Sequence, residues 1–220
     1  MNIKWIFFDI GGVLADESEF QKIRENYNWE TVKHFELNTT KEEIMAIWPE
    51  ASGMIGDLDI NIVSLALKDK SKIIEAVELM KTKRSEAPSY YDLLKVREEA
   101  KEVISKLSQK YKLGIIANQN SKVKEKLKEA DLLKYFQNTD VSGDHKLNKP
   151  NSELFKKIFE ITGASPVESV MIDDNIERGL SPAKNLNMTT VWYRLTDRNN
   201  IPTNTVDYTV VSLMELLKIF

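Results

Sequence analysis

The residues best placed for chemistry are carboxylates that end short apolar runs. In Phe7-Phe8-Asp9-Ile10-Gly11-Gly12-Val13-Leu14 an apolar run delivers Asp9 into a glycine turn. Glycine there permits backbone angles that other residues resist, and it lets a ligand approach the main chain. A carboxylate so placed can attack phosphorus or carbon, and it can ligate a hard cation such as Mg²⁺. A strand that simply ends in a turn has the same composition, so this run alone leaves both readings open. In Val170-Met171-Ile172-Asp173-Asp174-Asn175 two adjacent acids follow another apolar run. Neighbouring carboxylates repel and a divalent cation relieves the repulsion, so one acid is expected to ligate it and the other to cap the next helix.

The elements that must position these acids follow from the apolar pattern. Residues 3–8, 113–117, 169–172 and 189–192 are short runs rich in β-branched residues and read as buried parallel strands. Amphipathic helical patterns at 121–130, 152–161 and 181–186 alternate with the last three. Alternation of this kind predicts an α/β fold with a doubly wound parallel sheet, whose ligands bind beyond the carboxyl ends of the strands. A weaker strand at 208–211 and a final helix at 212–219 complete it. Between Leu14 and about Lys101 strands disappear and helical periodicity takes over, at 42–48, 60–67 and 71–82. The pattern predicts a core of residues 1–14 and 99–220, with an α-helical domain inserted over 15–98. Within the insert Pro49, Gly53, Gly56 and Pro88 read as turns and helix ends, and the charged stretch 22–30 as a solvated helix face.

Composition excludes several classes. The net charge is −3, so no global positive field recruits nucleic acid or an anionic membrane surface. There is no cysteine, which rules out disulfides and thiolate metal sites, and His34 and His145 lie too far apart in sequence to suggest a paired-histidine zinc site. The apolar run at 3–8 is too short for a signal peptide, and nothing approaches the roughly 18 apolar residues of a membrane span. A soluble cytoplasmic protein is the expectation.

Three runs together resemble the haloacid dehalogenase superfamily. They are Phe8-Asp9-Ile10-Gly11-Gly12-Val13-Leu14, Lys149-Pro150-Asn151-Ser152-Glu153-Leu154-Phe155, and Met171-Ile172-Asp173-Asp174 with Pro182-Ala183-Lys184 and Met188-Thr189-Thr190-Val191-Trp192. The resemblance implies a Rossmann-like core with a helical cap acting as a mobile lid. It implies a Mg²⁺-dependent phosphatase of a small phosphorylated metabolite, in which Asp9 forms an aspartyl-phosphate that water hydrolyses. Mg²⁺ would be held by Asp9, Asp174 and the Gly11 carbonyl, and Lys149 would offset the accumulated negative charge, with Lys146 a competing assignment.

The sequence departs from the family pattern at three positions. Gly11 stands where family phosphatases carry a general acid, Ala117 where the second motif ends in a hydroxyl, and Gly179 where a further acid is common. Phosphate would then be held by backbone N–H groups near Asn118 and Gln119 or by the Asn118 amide. Glu177 is a substitute for the acid missing at 179, and His145 a further candidate in the loop before Lys149. Trp5, Trp29, Trp48 and Trp192 read as packing residues. Two alternatives stand beside the phosphatase: a metal-independent hydrolase acting at carbon, and a binding or regulatory module on a weakened hydrolase scaffold.

Overall fold

The computed structural model describes residues 2–195 and 204–220. Its strands are β1 (Trp5–Phe8), β2 (Ala15–Asp16), β3 (Lys95–Val96), β4 (Lys112–Ile115), β5 (Ser169–Asp173), β6 (Thr189–Tyr193) and β7 (Tyr208–Val210). Five of them form one parallel sheet in the order β4-β1-β5-β6-β7. Every residue of β1 and β5 is buried, which is why these runs are continuously apolar rather than alternating. Phe7 and Met171 belong to an apolar cluster with Leu154, Phe155 and Ile158, while the alternate residues Ile6, Phe8 and Ile172 are fully buried too, so both faces are covered. After β1 the next strand of the sheet, β4, is laid on one side of it and β5 on the other. That reversal of direction opens a crevice at the carboxyl ends of β1, β4 and β5. Phe8 lies beside Ile115 and Ile172, so the residues that follow these strands meet at one place.

Two units partition the chain: Met1–Asp16 with Lys95–Phe220, and Glu17–Leu94. The second contains α1 (Ser18–Phe35), α2 (Lys41–Gly53), α3 (Leu58–Ala66), α4 (Ile73–Glu86) and the short α5 (Tyr90–Leu93). Thr40 opens α2 with a capping box: its hydroxyl accepts from the Glu43 N–H at 3.2 Å, and the Glu43 carboxylate accepts from the Thr40 N–H at 2.9 Å. Asp57 caps α3 through its side chain alone, accepting from the Asp59 and Ile60 N–H groups. Val32, Ile44, Ile62, Val63 and Met80 form this unit's own core.

Three expectations for this region are corrected. Pro49 lies inside α2 rather than in a turn. Strands do not vanish between Leu14 and Lys101, because β2 pairs antiparallel with β3, Ala15 opposite Val96 and Asp16 opposite Lys95. The stretch 22–30 is not simply a solvated face, since Tyr27 and Asn28 are buried and donate to the Asp59 carboxylate at 2.8 Å each. Arg24 Nε lies 3.3 Å from the same group and Arg84 Nη1 3.2 Å, so one buried acid gathers four partners from two other helices.

The first unit adds α6 (Ala100–Leu107), α7 (Val123–Glu129), α8 (Ser142–His145), α9 (Ser152–Thr162), α10 (Ser181–Asn185) and α11 (Leu216–Ile219). A π-helical turn at Ile176–Leu180 stands between β5 and α10. Pro150 does not open α9; Asn151 does, its side chain accepting from the Glu153 N–H. No helix among the described residues is long and apolar enough to cross a membrane.

Candidate active site

Asp9 follows the last residue of β1, and its N–H still belongs to the sheet, donating to Ile172 at 2.9 Å. Asp9 is 5% exposed, and its side chain lies 3.2 Å, Oδ1 to Nζ, from Lys149. Lys149 is 1% exposed and contacts Asp173 Oδ2 at 2.6 Å, so a single buried ammonium bridges the ends of β1 and β5. What aims it is Asn118, just beyond β4: its Nδ2 donates to the Lys149 carbonyl at 2.8 Å, and its Oδ1 accepts from the Lys149 N–H at 2.7 Å. Burial opposes the charge on Lys149, but the carboxylates of Asp173 and Asp9 outweigh it and hold the ammonium above the usual lysine range. Burial pushes the Asp173 carboxyl up to about 6, with Lys149 pulling it back and Asp9 adding to the rise.

Asp9, Asp173 and Asp174 offer carboxylate oxygens that all lie within 4.8 Å of one another. They are not equivalent. Asp173 is fully buried, and its other oxygen accepts from the Asn175 N–H at 2.8 Å, so its lone pairs are engaged by the protein. The helix-capping role expected of the acid pair falls to Asn175, whose Oδ1 accepts from the Arg178 N–H at 2.7 Å. Asp174 is partly accessible, and its carboxylate fills the space where a side chain on residue 12 would be: a Cβ on Gly12 would fall 2.4 Å from Asp174 Oδ2. Gly12 also has φ +78°, so glycine is required there twice over. Gly11 is buried, and its carbonyl accepts no hydrogen bond among the described residues. Asp9 and Asp174, together with the Gly11 carbonyl, could supply the hard-oxygen donors that Mg²⁺ takes.

The departures look different in three dimensions. A Cβ on Gly179 would lie 2.0 Å from Asp173 Oδ2 and 2.1 Å from its Cγ. Glycine at 179 is therefore the room in which Asp173 sits, not a vacant acid position. Glu177 is not among the acids that cluster with Asp9. Ala117 is fully buried and offers no side-chain donor. The Gln119 N–H is already engaged by the Ala117 carbonyl and the Ser142 hydroxyl, both at 3.1 Å, and the Asn118 amide clasps Lys149. Of the proposed phosphate donors the Asn118 backbone N–H has no partner among the described residues. Lys146 is exposed, in the left-handed region at φ 55°, and it is Lys149 that contacts Asp9. His145 lies 3.2 Å from Asp140 and is not brought to the acids.

Sequence reasoning missed Arg178 and Trp192. Arg178 follows the acid pair on the π-turn, its Nε is buried without a hydrogen-bond partner, and its charge favours ionised Asp173 while opposing that of Lys149. Trp192 packs as expected but also donates its indole N–H to the Asp174 carbonyl at 3.0 Å. A basic residue one turn beyond paired acids was the available signal for the first; none marked the second.

A parallel sheet with an acid–lysine cluster at its switch point, and a helical unit inserted after the first strand, defines a class of hydrolase. The model for haloacid dehalogenase-like hydrolases matches residues 3–187, and the chain belongs to that family. Among curated relatives, it is 25% identical to the glyceraldehyde 3-phosphate phosphatase of Pyrococcus furiosus, over 99% of this chain and 92% of the relative. It is 27% identical to the protein of the same name from Methanocaldococcus jannaschii, over 99% of this chain and 96% of the relative. Among solved structures, a haloacid dehalogenase-like family hydrolase from Streptococcus pneumoniae superposes with a TM-score of 0.72 at 16% identity, covering 100% of this chain and 99% of that one. The magnesium-bound HAD hydrolase YfnB of Bacillus subtilis gives 0.66 at 21% identity, with 100% and 99% covered. These structural likenesses establish the shared fold.

Proposed function

We propose that this chain is a Mg²⁺-dependent phosphatase of small phosphorylated metabolites, with Asp9 as the nucleophile. The observation that carries the reading is the junction of Asp9, Lys149, Asp173 and Asp174, in which one buried ammonium serves Asp9 and Asp173 and carboxylate oxygens of the three acids lie within 4.8 Å of one another. Asp9, Asp174 and the Gly11 carbonyl would hold the ion, which when bound offsets the charge of carboxylates and phosphate alike. An Asp9 oxygen attacks phosphorus, the bond from phosphorus to the ester oxygen breaks, and that oxygen leaves with the electron pair. Gly11 has no side chain to protonate it, so the proton comes from water. A second water attacks phosphorus, the bond to Asp9 breaks, and phosphate and free Asp9 result. Lys149 stays cationic throughout and opposes the negative charge that accumulates next to Asp9. Three clustered acids favour cation chemistry over the metal-independent alternative at carbon.

The names of the relatives support the substrate class, a small alkyl phosphate, and the insert of residues 17–94 is the part that would serve as a cap and select it. The test is phosphate release from glyceraldehyde 3-phosphate and from p-nitrophenyl phosphate, with and without Mg²⁺. Asp9→Asn should abolish turnover while leaving the melting curve in place, and Asp174→Asn should weaken Mg²⁺ binding in calorimetry. Parent turnover that ignores Mg²⁺, or survives in Asp9→Asn, would sink the reading.

A further inference from the structure

We propose that Arg97 is a positioning residue that sets the loop carrying Asp9 and the Gly11 carbonyl against Asp174. The inference rests on the reading of those groups as cation ligands. Arg97 takes hold of three successive carbonyls of that loop. Its Nη2 donates to Gly12 at 3.0 Å, its Nε to Val13 at 2.9 Å, and its backbone N–H to Leu14 at 2.9 Å. Few side chains can do this: the guanidinium fork presents two N–H groups side by side in a fixed plane, whereas a lysine offers a single point charge on a flexible stem. Within the loop, Gly12 N–H donates to Ala15 and the Val13 and Ala15 N–H groups donate to Ile10, while Ala15 pairs with Val96.

The far side of the guanidinium is supported as well. Its carbon stands 5.0 Å over the ring of Tyr193, the last residue of β6, which is 3% exposed. The preceding residue, Trp192, holds the Asp174 carbonyl. One strand end therefore braces both acid-bearing loops, the Asp174 loop directly and the Asp9 loop through Arg97. The braced peptide is also the one in contact with the metal-binding acid, because Gly12 lies against the Asp174 carboxylate. A shift of Gly12 away from Arg97 is a shift of the Asp9 turn relative to Asp174. Hydrogen-bond partners that orient a metal's ligands without touching the metal carry much of its affinity.

A purely structural arginine would lower stability on removal and leave the site's affinity alone, so the experiment reads both. Mg²⁺ affinity is measured by calorimetry on the parent, Arg97→Met and Arg97→Lys, alongside melting temperature and kcat and KM for p-nitrophenyl phosphate. In Arg97→Met, Mg²⁺ affinity and kcat should each fall by roughly 10- to 100-fold, with KM within about twofold of the parent. Arg97→Lys, which restores charge but not the fork, should recover only part of both. If Arg97→Met does not fold, Arg97→Gln, which keeps one amide donor, replaces it under the same criteria. A variant that melts lower but binds Mg²⁺ and turns over like the parent overturns the proposal, and so does a rise in KM alone, which would make Arg97 a substrate contact. A parent with no Mg²⁺ affinity refutes the cation reading itself and the proposal with it; a parent that binds, matched by its Arg97 variants, refutes the proposal only.

Discussion

Replacing Gly179 by alanine puts the packing of the site to a direct test. The new Cβ would fall 2.0 Å from Asp173 Oδ2, a full ångström inside the 3.0 Å below which such contacts essentially never occur. The obstacle is not a flexible surface group: Asp173 is fully buried and pinned by Lys149 Nζ at 2.6 Å and the Asn175 N–H at 2.8 Å. If Asp173 moves, Lys149 stays buried with only Asp9 at 3.2 Å. Removing one partner of a buried ion pair costs about 3–5 kcal/mol. Alanine returns about 1 kcal/mol of helical preference over glycine, leaving a net loss of about 2–4 kcal/mol. Guanidinium unfolding of four proteins gives the answer: parent, Gly179→Ala, Asp173→Ala and the double variant. With Asp173 already truncated, Gly179→Ala should be neutral or slightly stabilising, so the two changes should be strongly non-additive. A Gly179→Ala protein as stable as the parent, or the same cost in both backgrounds, would refute the claim that residue 179 is glycine for the sake of Asp173.

Three further outcomes are expected. Gly11→Asp, adding a side-chain acid beside the leaving group, should raise turnover of alkyl phosphates by up to roughly 10² to 10⁴ and that of p-nitrophenyl phosphate far less; equal gains on both would show that protonation of the leaving group is not limiting. Asp59→Ala, which strips Tyr27, Asn28, Arg24 and Arg84 of a shared buried carboxylate, should cost about 3–5 kcal/mol in urea unfolding, and a loss below about 1 kcal/mol would mean that the helices hold without it. The Asp144 carboxyl is held down at about 2, with burial opposed by Ser121, Lys124 and the Val141 N–H. Its contribution is therefore present in full above the ordinary aspartate range and lost as pH falls through about 2. After discounting for solvent screening, Asp144→Asn should cost about 1 kcal/mol at neutral pH, a gap that closes in acid; a gap that does not change with pH would contradict the assignment.

Much of this was legible in the sequence, and the reason is periodicity. Strands buried on both faces must be continuously apolar, so β1, β4, β5 and β6 announce themselves, and the acids that end them mark where the site must form. Lys149 was legible from its motif and Asp9 from its position. Less could be read where a residue's job depends on who arrives from elsewhere in the chain. Asn118 has the composition of a phosphate donor, but its amide is taken up by the backbone of Lys149, 31 positions away. Gly179 has the look of a lost acid, yet its emptiness is filled by Asp173. Arg97 stands in a charged run that resembles any solvated helix start, and only the fold brings it to the carbonyls of residues 12 and 13. Pro49 misled because proline rules describe an average helix interior, whereas α2 continues through it.

The short ladder between β2 and β3 bears on how proteins of this build diversify. Asp16 sits opposite Lys95, so the two points where the chain departs and comes back are already held as the adjacent arms of a hairpin. The ladder consists of two residue pairs, Ala15 with Val96 and Asp16 with Lys95, and none of residues 17–94 takes part in it. The five-stranded sheet, with Asp9 and the Asp173–Asp174 pair at its strand ends, lies wholly in the unit on one side of that joint, and the helical insert lies wholly on the other. Grafting a two-residue turn between Asp16 and Lys95, or an insert from a relative, treats this joint as a socket and its contents as interchangeable parts.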